Sequence, residues 1–218
     1  PPRSTLFPYT TLFRSTLALL IGVNFCILML TNNKLLAELA KESQHKDAIM
    51  EELKVSAKHD GLTGLLNRGA LDASLEKLLE QDHESGGFML NMVDVDNFKA
   101  INDRYGHEAG DLVLMRLATI FSSSIRKQDT VGRWGGDEFL FILKDVSSGE
   151  AVDLVRRLHE QVALFDWSGA LHLSSLKVCI SSGYYLCNGK ETKTEILRKT
   201  DSNLYAAKQQ GRNQWVGF

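Results

Sequence analysis

The sequence predicts an α+β protein with a ferredoxin-like βαββαβ core, its central antiparallel sheet flanked by helices and preceded by a long N-terminal helix. Three observations carry this. Short apolar runs are separated by longer amphipathic segments, the alternation of strand and helix. Two of those runs, 129–133 and 139–143, flank Gly135-Gly136, a tight hairpin signal. Residues 32–58 lack Pro and Gly and are rich in Leu, Ala, Glu and Lys, which favours one continuous helix.

The elements follow in order. Residues 5–15, TLFPYTTLFRS, read like the translation of a sequencing-library adapter, and the chain opens Pro-Pro without an initiator methionine. Segment 1–15 is therefore set aside as a non-native artefact, and the natural N-terminus is expected to be missing. Residues 16–31 form an apolar run shorter than the roughly 20 residues that span a bilayer. A signal-peptide core and a buried helix both fit such a run, but because the artefact abuts its start it reads as a truncated transmembrane helix. Lys34 and Lys41 suit a cytoplasmic flank. Within 32–58, Leu35, Leu39, Ile49 and Leu53 fall on a four-three spacing that Glu42 and Lys46 interrupt. The segment is thus a weak parallel coiled coil, acting as a signalling stem, or a solvated spacer.

Beyond it, helices are expected at 70–81, 98–105, 108–125, 150–165 and 195–210, and strands at 88–94, 177–186 and 214–217 besides the hairpin. In the βαββαβ plan the first strand pairs antiparallel with the third, so the first strand's end lies beside the hairpin tip. That brings Asp94 to Asp137 and Glu138. With 218 residues, 44% hydrophobic, and a net charge of -2, the chain can bury one sizeable core, and it lacks the basic excess of a nucleic-acid binder. Cys26, Cys179 and Cys187 have neither a metal spacing nor an even disulfide count, which suits reduced thiols.

The chemistry starts at Arg133-Trp134-Gly135-Gly136-Asp137-Glu138-Phe139, where two bare glycines precede two carboxylates. Glycine lets a phosphate approach the backbone, and carboxylates supply the hard oxygens magnesium prefers. Taken alone, the turn is equally an ordinary hairpin with solvated acids. Asp94 and Asp96 follow the apolar run 88–93, and strand-end acids that meet a distant acidic turn are a recurrent way to build a two-metal phosphoryl-transfer centre.

With the polar stretch 97–111, these motifs resemble the GGDEF-domain family of bacterial diguanylate cyclases. The resemblance covers about residues 58–218 and rests on five stretches in order: 59–68 (HDGLTGLLNR), 94–111, 126–129 (RKQD), the GGDEF turn, and 201–213. It implies a palm-like, nucleotidyl-cyclase-like fold and a homodimer that joins two GTP into cyclic di-GMP. It also implies a catalytic domain over 59–218, on the cytoplasmic side of the inner membrane to which the N-terminal helix attaches it.

The resemblance further implies that Asp94, the carbonyl of Val95, Asp137 and Glu138 hold two Mg2+ or Mn2+ ions per site, with Asp94, Asp137 and Glu138 catalytic. Substrate would be bound by Phe98 through its backbone, Lys99, Asn102, His107, Asp111, Gly135, Gly136, Lys208 and Arg212. Asn102 and Asp111 match the guanine-reading pair; a carboxylate suits guanine, whose N1–H and amine are two donors on one edge. Bland readings compete: a polar helix position for Asn102, a helix N-terminal acid for Asp111, and a solvated charged face for Lys99, Lys208 and Arg212. Arg126, Asp129 and Arg157 match the inhibitory product site, with Asp129 expected to orient the Arg126 guanidinium; the rival is a surface ion pair worth little. Two other classes of function stay open, a catalytically weak GTP- or cyclic di-GMP-binding module and a structural membrane dimer. Intact acids at 94, 137 and 138 argue against both.

Overall fold

The computed structural model describes residues 7–80, 87–188 and 190–218, which fall into two units divided between residues 55 and 56. Helix α1 spans Phe7–Lys58. It begins inside the segment set aside as non-native, whose residues 1–6 lie outside the described ones. Its stretch Phe13–Lys46 is long and apolar enough to cross a membrane, with a mean hydropathy of 1.9 in the most apolar window. Three of its polar side chains bond within the helix: Thr16 Oγ1 donates to Phe13 O, Asn24 Nδ2 to Leu20 O and Thr31 Oγ1 to Leu28 O. Such back-bonding lowers the cost of placing them in lipid. Leu35 and Leu39 of the expected coiled coil are exposed; the side chains of Ile49 and Leu53 lie outside the described ones.

The second unit contains α2 (Arg68–Leu79), β1 (Phe88–Val95), α3 (Phe98–Tyr105), α4 (His107–Ser124), β2 (Thr130–Gly135), β3 (Glu138–Lys144), α5 (Ser148–Leu164), α6 (Trp167–Leu171), β4 (Ile180–Cys187), α7 (Lys193–Gln209) and β5 (Trp215–Gly217). The sheet order is β2-β3-β1-β4-β5. β1 runs antiparallel to β3 and to β4, as the ferredoxin-like plan requires. β5 pairs parallel to β4, because the long α7 crossover between them returns the chain in the same direction. The sheet is therefore not antiparallel throughout.

β1 is buried along its whole length, as a central strand covered on both faces must be. On one face α4 and α5 cover a core in which Phe121 meets Phe139 and Phe141 edge-on, at 5.1 and 5.2 Å between ring centroids. On the other face Leu71 and Leu75 of α2 and Leu204 of α7 pack on Leu90 and Leu140.

Several boundaries differ from expectation. α2 starts at Arg68 because Asn67 Oδ1 accepts from Ala70 N at 3.0 Å, a side-chain N-cap. Its expected end at Gln81 lies outside the described residues. α5 and α7 begin two residues early, each on a capping box, Ser147/Glu150 and Thr192/Glu195. β4 starts at Ile180 rather than at Lys177, because its partner β1 ends at Val95 and the pairing beyond it is reduced to one bond, from Asp96 N to Cys179 O at 2.9 Å. The short α6 is new; Asp166 caps it, and the buried Trp167 donates Nε1–H to Val162 O at 2.8 Å.

Candidate functional site

Three elements converge at one end of the sheet. Asp94, near the end of β1, stands directly opposite Glu138, the first residue of β3. Val95 N donates to Asp137 O at 3.2 Å, which joins the strand end to the hairpin tip. Gly135 pairs with Glu138, so the turn residues are Gly136 and Asp137, one place later than the Gly-Gly pair implied. Gly136 has φ +48, a conformation that glycine adopts without strain.

Arg133 fixes this turn. Its Nε and Nη2 donate to Gly136 O at 2.9 and 2.7 Å, and its Nη1 reaches both oxygens of Asp60 at 3.2 and 3.3 Å. Asp60 Oδ1 also accepts from Thr63 N and Oγ1, at 2.9 and 2.7 Å. Burial pushes the Asp60 carboxyl up, but the Thr63 bonds and the Arg133 charge outweigh it and hold the group below its ordinary value. One fork of hydrogen bonds thus ties the start of the second unit to the acidic turn. The motifs that hold Asp60 and Arg133 announce neither contact.

The acids press on one another. Asp94 is 8% exposed and bonds Lys208 Nζ through Oδ2 at 2.7 Å. Burial, followed by repulsion from Asp137 and Glu138, pushes its carboxyl up to about 6 despite Lys208. Glu138 is also raised, by burial first and then by Asp137 and Asp201, against Lys208 and Arg68. Arg68 lies over the Trp134 ring, 4.7 Å from its centroid. The cluster holds more negative charge than its cations neutralise, and its hard oxygens suit a divalent ion. Among the described residues no three acidic, His or Cys groups gather closely enough to hold a metal alone. Magnesium takes one or two protein carboxylates and completes its shell with phosphate oxygens and water.

Asp96, the other acid of the strand-end pair, turns away from this cluster. Buried, it accepts from Ser181 Oγ at 2.7 Å and from Asn213 N at 2.8 Å, so it anchors the loop that carries Arg212. Arg212 is exposed in that loop with φ +62.

The guanine-reading candidates sit where α3 meets α4. A side chain at Gly110 would collide with Asn102 Oδ1 and come within 3.0 Å of Phe98, so Gly110 is what lets the two helices close. Asn102 Oδ1 is a buried acceptor without a partner among the described residues. His107 and Lys99 are exposed on the first turns of α4 and α3, and Asp111 is exposed one turn further along α4.

Arg126, Asp129 and Arg157 line one cavity of about 220 Å³, together with Glu150. Their bonding corrects the expectation. Asp129 accepts from the backbone N–H groups of Arg126 and Lys144, at 3.0 and 3.3 Å, and the Arg126 guanidinium instead pairs with Glu150 at 2.8 Å. Arg157 Nη2 donates to Ser124 O at 2.8 Å. Glu150 was missed, although the Ser147-x-x-Glu150 spacing marks it as a capping acid. The hydrogen bond from Arg126 and those from Ser147 pull its carboxyl down to about 2.

Residues 57–214 match the family model described as diguanylate cyclase, GGDEF domain. The chain is similar to the bifunctional diguanylate cyclase/cyclic di-GMP phosphodiesterase MucR of Pseudomonas aeruginosa, 35% identical over 168 residues that make up 77% of this chain and 24% of that protein. It is also similar to the diguanylate cyclase DgcM of Escherichia coli K12, 34% identical over 183 residues, 84% of this chain and 43% of that one. The chain thus spans less than half the length of these curated relatives. The fold aligns with the coiled coil and GGDEF domain of DgcB from Caulobacter crescentus in complex with c-di-GMP, with a TM-score of 0.76 and 26% identity over 84% of this chain and 97% of that one.

Proposed function

The chain belongs to the GGDEF-domain family of diguanylate cyclases, and on that premise we propose that it is an active cyclase that joins two GTP into cyclic di-GMP with release of two pyrophosphates. The observation that carries the reading is the pairing of Asp94 with Glu138 at the hairpin tip, where burial and mutual repulsion leave both carboxyls short of positive charge. Two Mg2+ or Mn2+ ions, held by Asp94, Val95 O, Asp137 and Glu138, would supply charge neutralisation on the triphosphate and a more acidic 3′-hydroxyl.

The chain's own groups do the positioning. Gly135 and Gly136 carry no side chain into the space where the phosphates approach, and Arg133 holds the turn in place. Lys208, paired with Asp94, moves to phosphate when substrate arrives, joined by Lys99 and Arg212. Asn102 and Asp111 take the guanine edge, with His107 beside them and Phe98 contributing backbone. Each 3′-oxygen then attacks the α-phosphorus of the GTP on the facing chain, forming one phosphodiester and expelling one pyrophosphate. Two domains are therefore needed per product, and a stem at 32–58 is suited to pairing them. Residues 16–31 would anchor the chain in the inner membrane, with the catalytic domain, 59–218, in the cytoplasm. Arg126, Asp129, Arg157 and Glu150 would bind accumulated product and slow the enzyme.

The test is to incubate the purified chain with GTP and magnesium chloride and to quantify both products. Cyclic di-GMP and pyrophosphate should appear in a one-to-two ratio, with activity per chain rising with protein concentration. GTP consumption without cyclic di-GMP would contradict the proposal.

A further inference from the structure

α3 has a second lined face. Phe98 and Asn102 turn towards Gly110 of α4, while Ala100, Arg104 and Tyr105 line a separate cavity of about 290 Å³, close to the smaller sizes found for small-molecule sites. Its opposite wall is the segment entering β4, from which Lys177 and Cys179 contribute. Tyr105 Oη donates to Ser174 O at 3.0 Å and so ties the two walls together.

The lining is unbalanced in charge. Arg126, Arg133, Arg156, Lys193, Lys199 and Lys208 are all paired with carboxylates. Arg104 and Lys177 have no such partner among the described residues. The Arg104 guanidinium instead lies over the Tyr105 ring, 5.0 Å from its centroid. The lining's carboxylate, Asp96, has both oxygens occupied by Ser181 and Asn213. Lys177 lies near enough to Cys179 for its charge to oppose the upward push of burial and Asp96 on that thiol. The cavity therefore presents two cations without a carboxylate partner, one of them stacked on its aromatic ring, and an apolar floor, with one carboxylate already engaged.

We propose that this cavity binds a small organic anion, its carboxylate or phosphate between Arg104 and Lys177 and its apolar body on Ala100 and the Tyr105 ring. Such a ligand would touch the helix that carries Lys99 and Asn102 without touching the residues assigned to GTP.

Cys179 provides the reporter. The full chain in detergent is treated in parallel with iodoacetate, a small carboxylate anion, and with neutral iodoacetamide, and modification of Cys179 is followed by peptide mass analysis. Both reagents react through the same thiolate, whose sulfur displaces iodide, so the ratio of their rates cancels the thiol's own acidity. Relative to the same ratio for glutathione, Cys179 should favour iodoacetate by about three-fold or more, as expected for a nearby unit charge even in water-like surroundings. Arg104→Gln and Lys177→Gln should each bring the ratio back towards that of glutathione, and inorganic phosphate should protect Cys179 in the unsubstituted chain. A ratio equal to that of glutathione, or one unmoved by both substitutions, overturns the proposal. So does failure of both reagents to reach Cys179, since the cavity would then admit no ligand of that size.

Discussion

Asp94→Asn should stabilise the metal-free protein while removing its activity, and the size of the effect can be worked from the structure. The Asp94 side chain is 11% exposed, and its carboxyl is raised from 3.8 to about 6, which penalises the charged form by about 3 kcal/mol in the folded state. Between those two values the folded state holds more protons than the unfolded one, so the stability of the unsubstituted chain falls as pH rises through that window. Asparagine imitates the protonated carboxyl and pays no such penalty. The variant should therefore match the unsubstituted chain near pH 4 and exceed it at pH 7.5 by about 3 kcal/mol, or about 6–12 °C in Tm for a domain of this size. Lys208 loses its partner but is 30% exposed and can be rehydrated. The assay is thermal unfolding of the full chain in detergent with EDTA across that pH range. A variant that is no more stable than the unsubstituted chain at pH 7.5 would refute the idea that the acid cluster is held under electrostatic stress.

Other substitutions test separate parts of the site. Arg133→Ala removes the fork on Gly136 O and Asp60; it should cost about 1–3 kcal/mol in urea denaturation and lower cyclisation, with Arg133→Lys intermediate because an ammonium cannot make the planar fork. Asp111→Ala should cut GTP use and narrow the preference over ATP by about ten-fold or more, measured by competition between the two nucleotides. Unchanged discrimination would mean that another residue reads the base. Arg126→Ala should leave initial rates within about two-fold but abolish the slowing caused by added cyclic di-GMP, since it lies outside the acid cluster. Equal inhibition of the two proteins would reduce the Arg126–Glu150 pair to a surface contact.

The parts readable in the sequence were those encoded locally or by strand order. Apolar runs gave β1 and β3, the glycine pair gave the hairpin, and antiparallel pairing of the first and third strands gave the approach of Asp94 to Glu138. Helix starts were misread where a cap decides them: Ser147 and Thr192 each stand three residues before a Glu, and the apolar pattern alone put α5 and α7 two residues late. Arg133 meets Asp60 from 73 residues away, and no local pattern announces such a contact. The same holds for Asp96, which shares a spacing with Asp94 but lies beyond the end of β1 and bonds Ser181 and Asn213 instead. The orientation of Arg126 towards Glu150 rather than Asp129 also depended on tertiary placement, because Asp129 is used up on backbone N–H groups.

The proposed cyclase site rests on Asp94 and Glu138 acting together on bound metal ions. Its most direct measurement is cyclic di-GMP formation from GTP and magnesium by the unsubstituted chain, Asp94→Asn and Glu138→Gln, each first shown to be folded by circular dichroism and cooperative unfolding. The unsubstituted chain should form product and both variants should fall by at least about a thousand-fold, the scale on which loss of electrostatic transition-state stabilisation is felt. Near-equal product formation by either folded variant, or none by the unsubstituted chain, would contradict it.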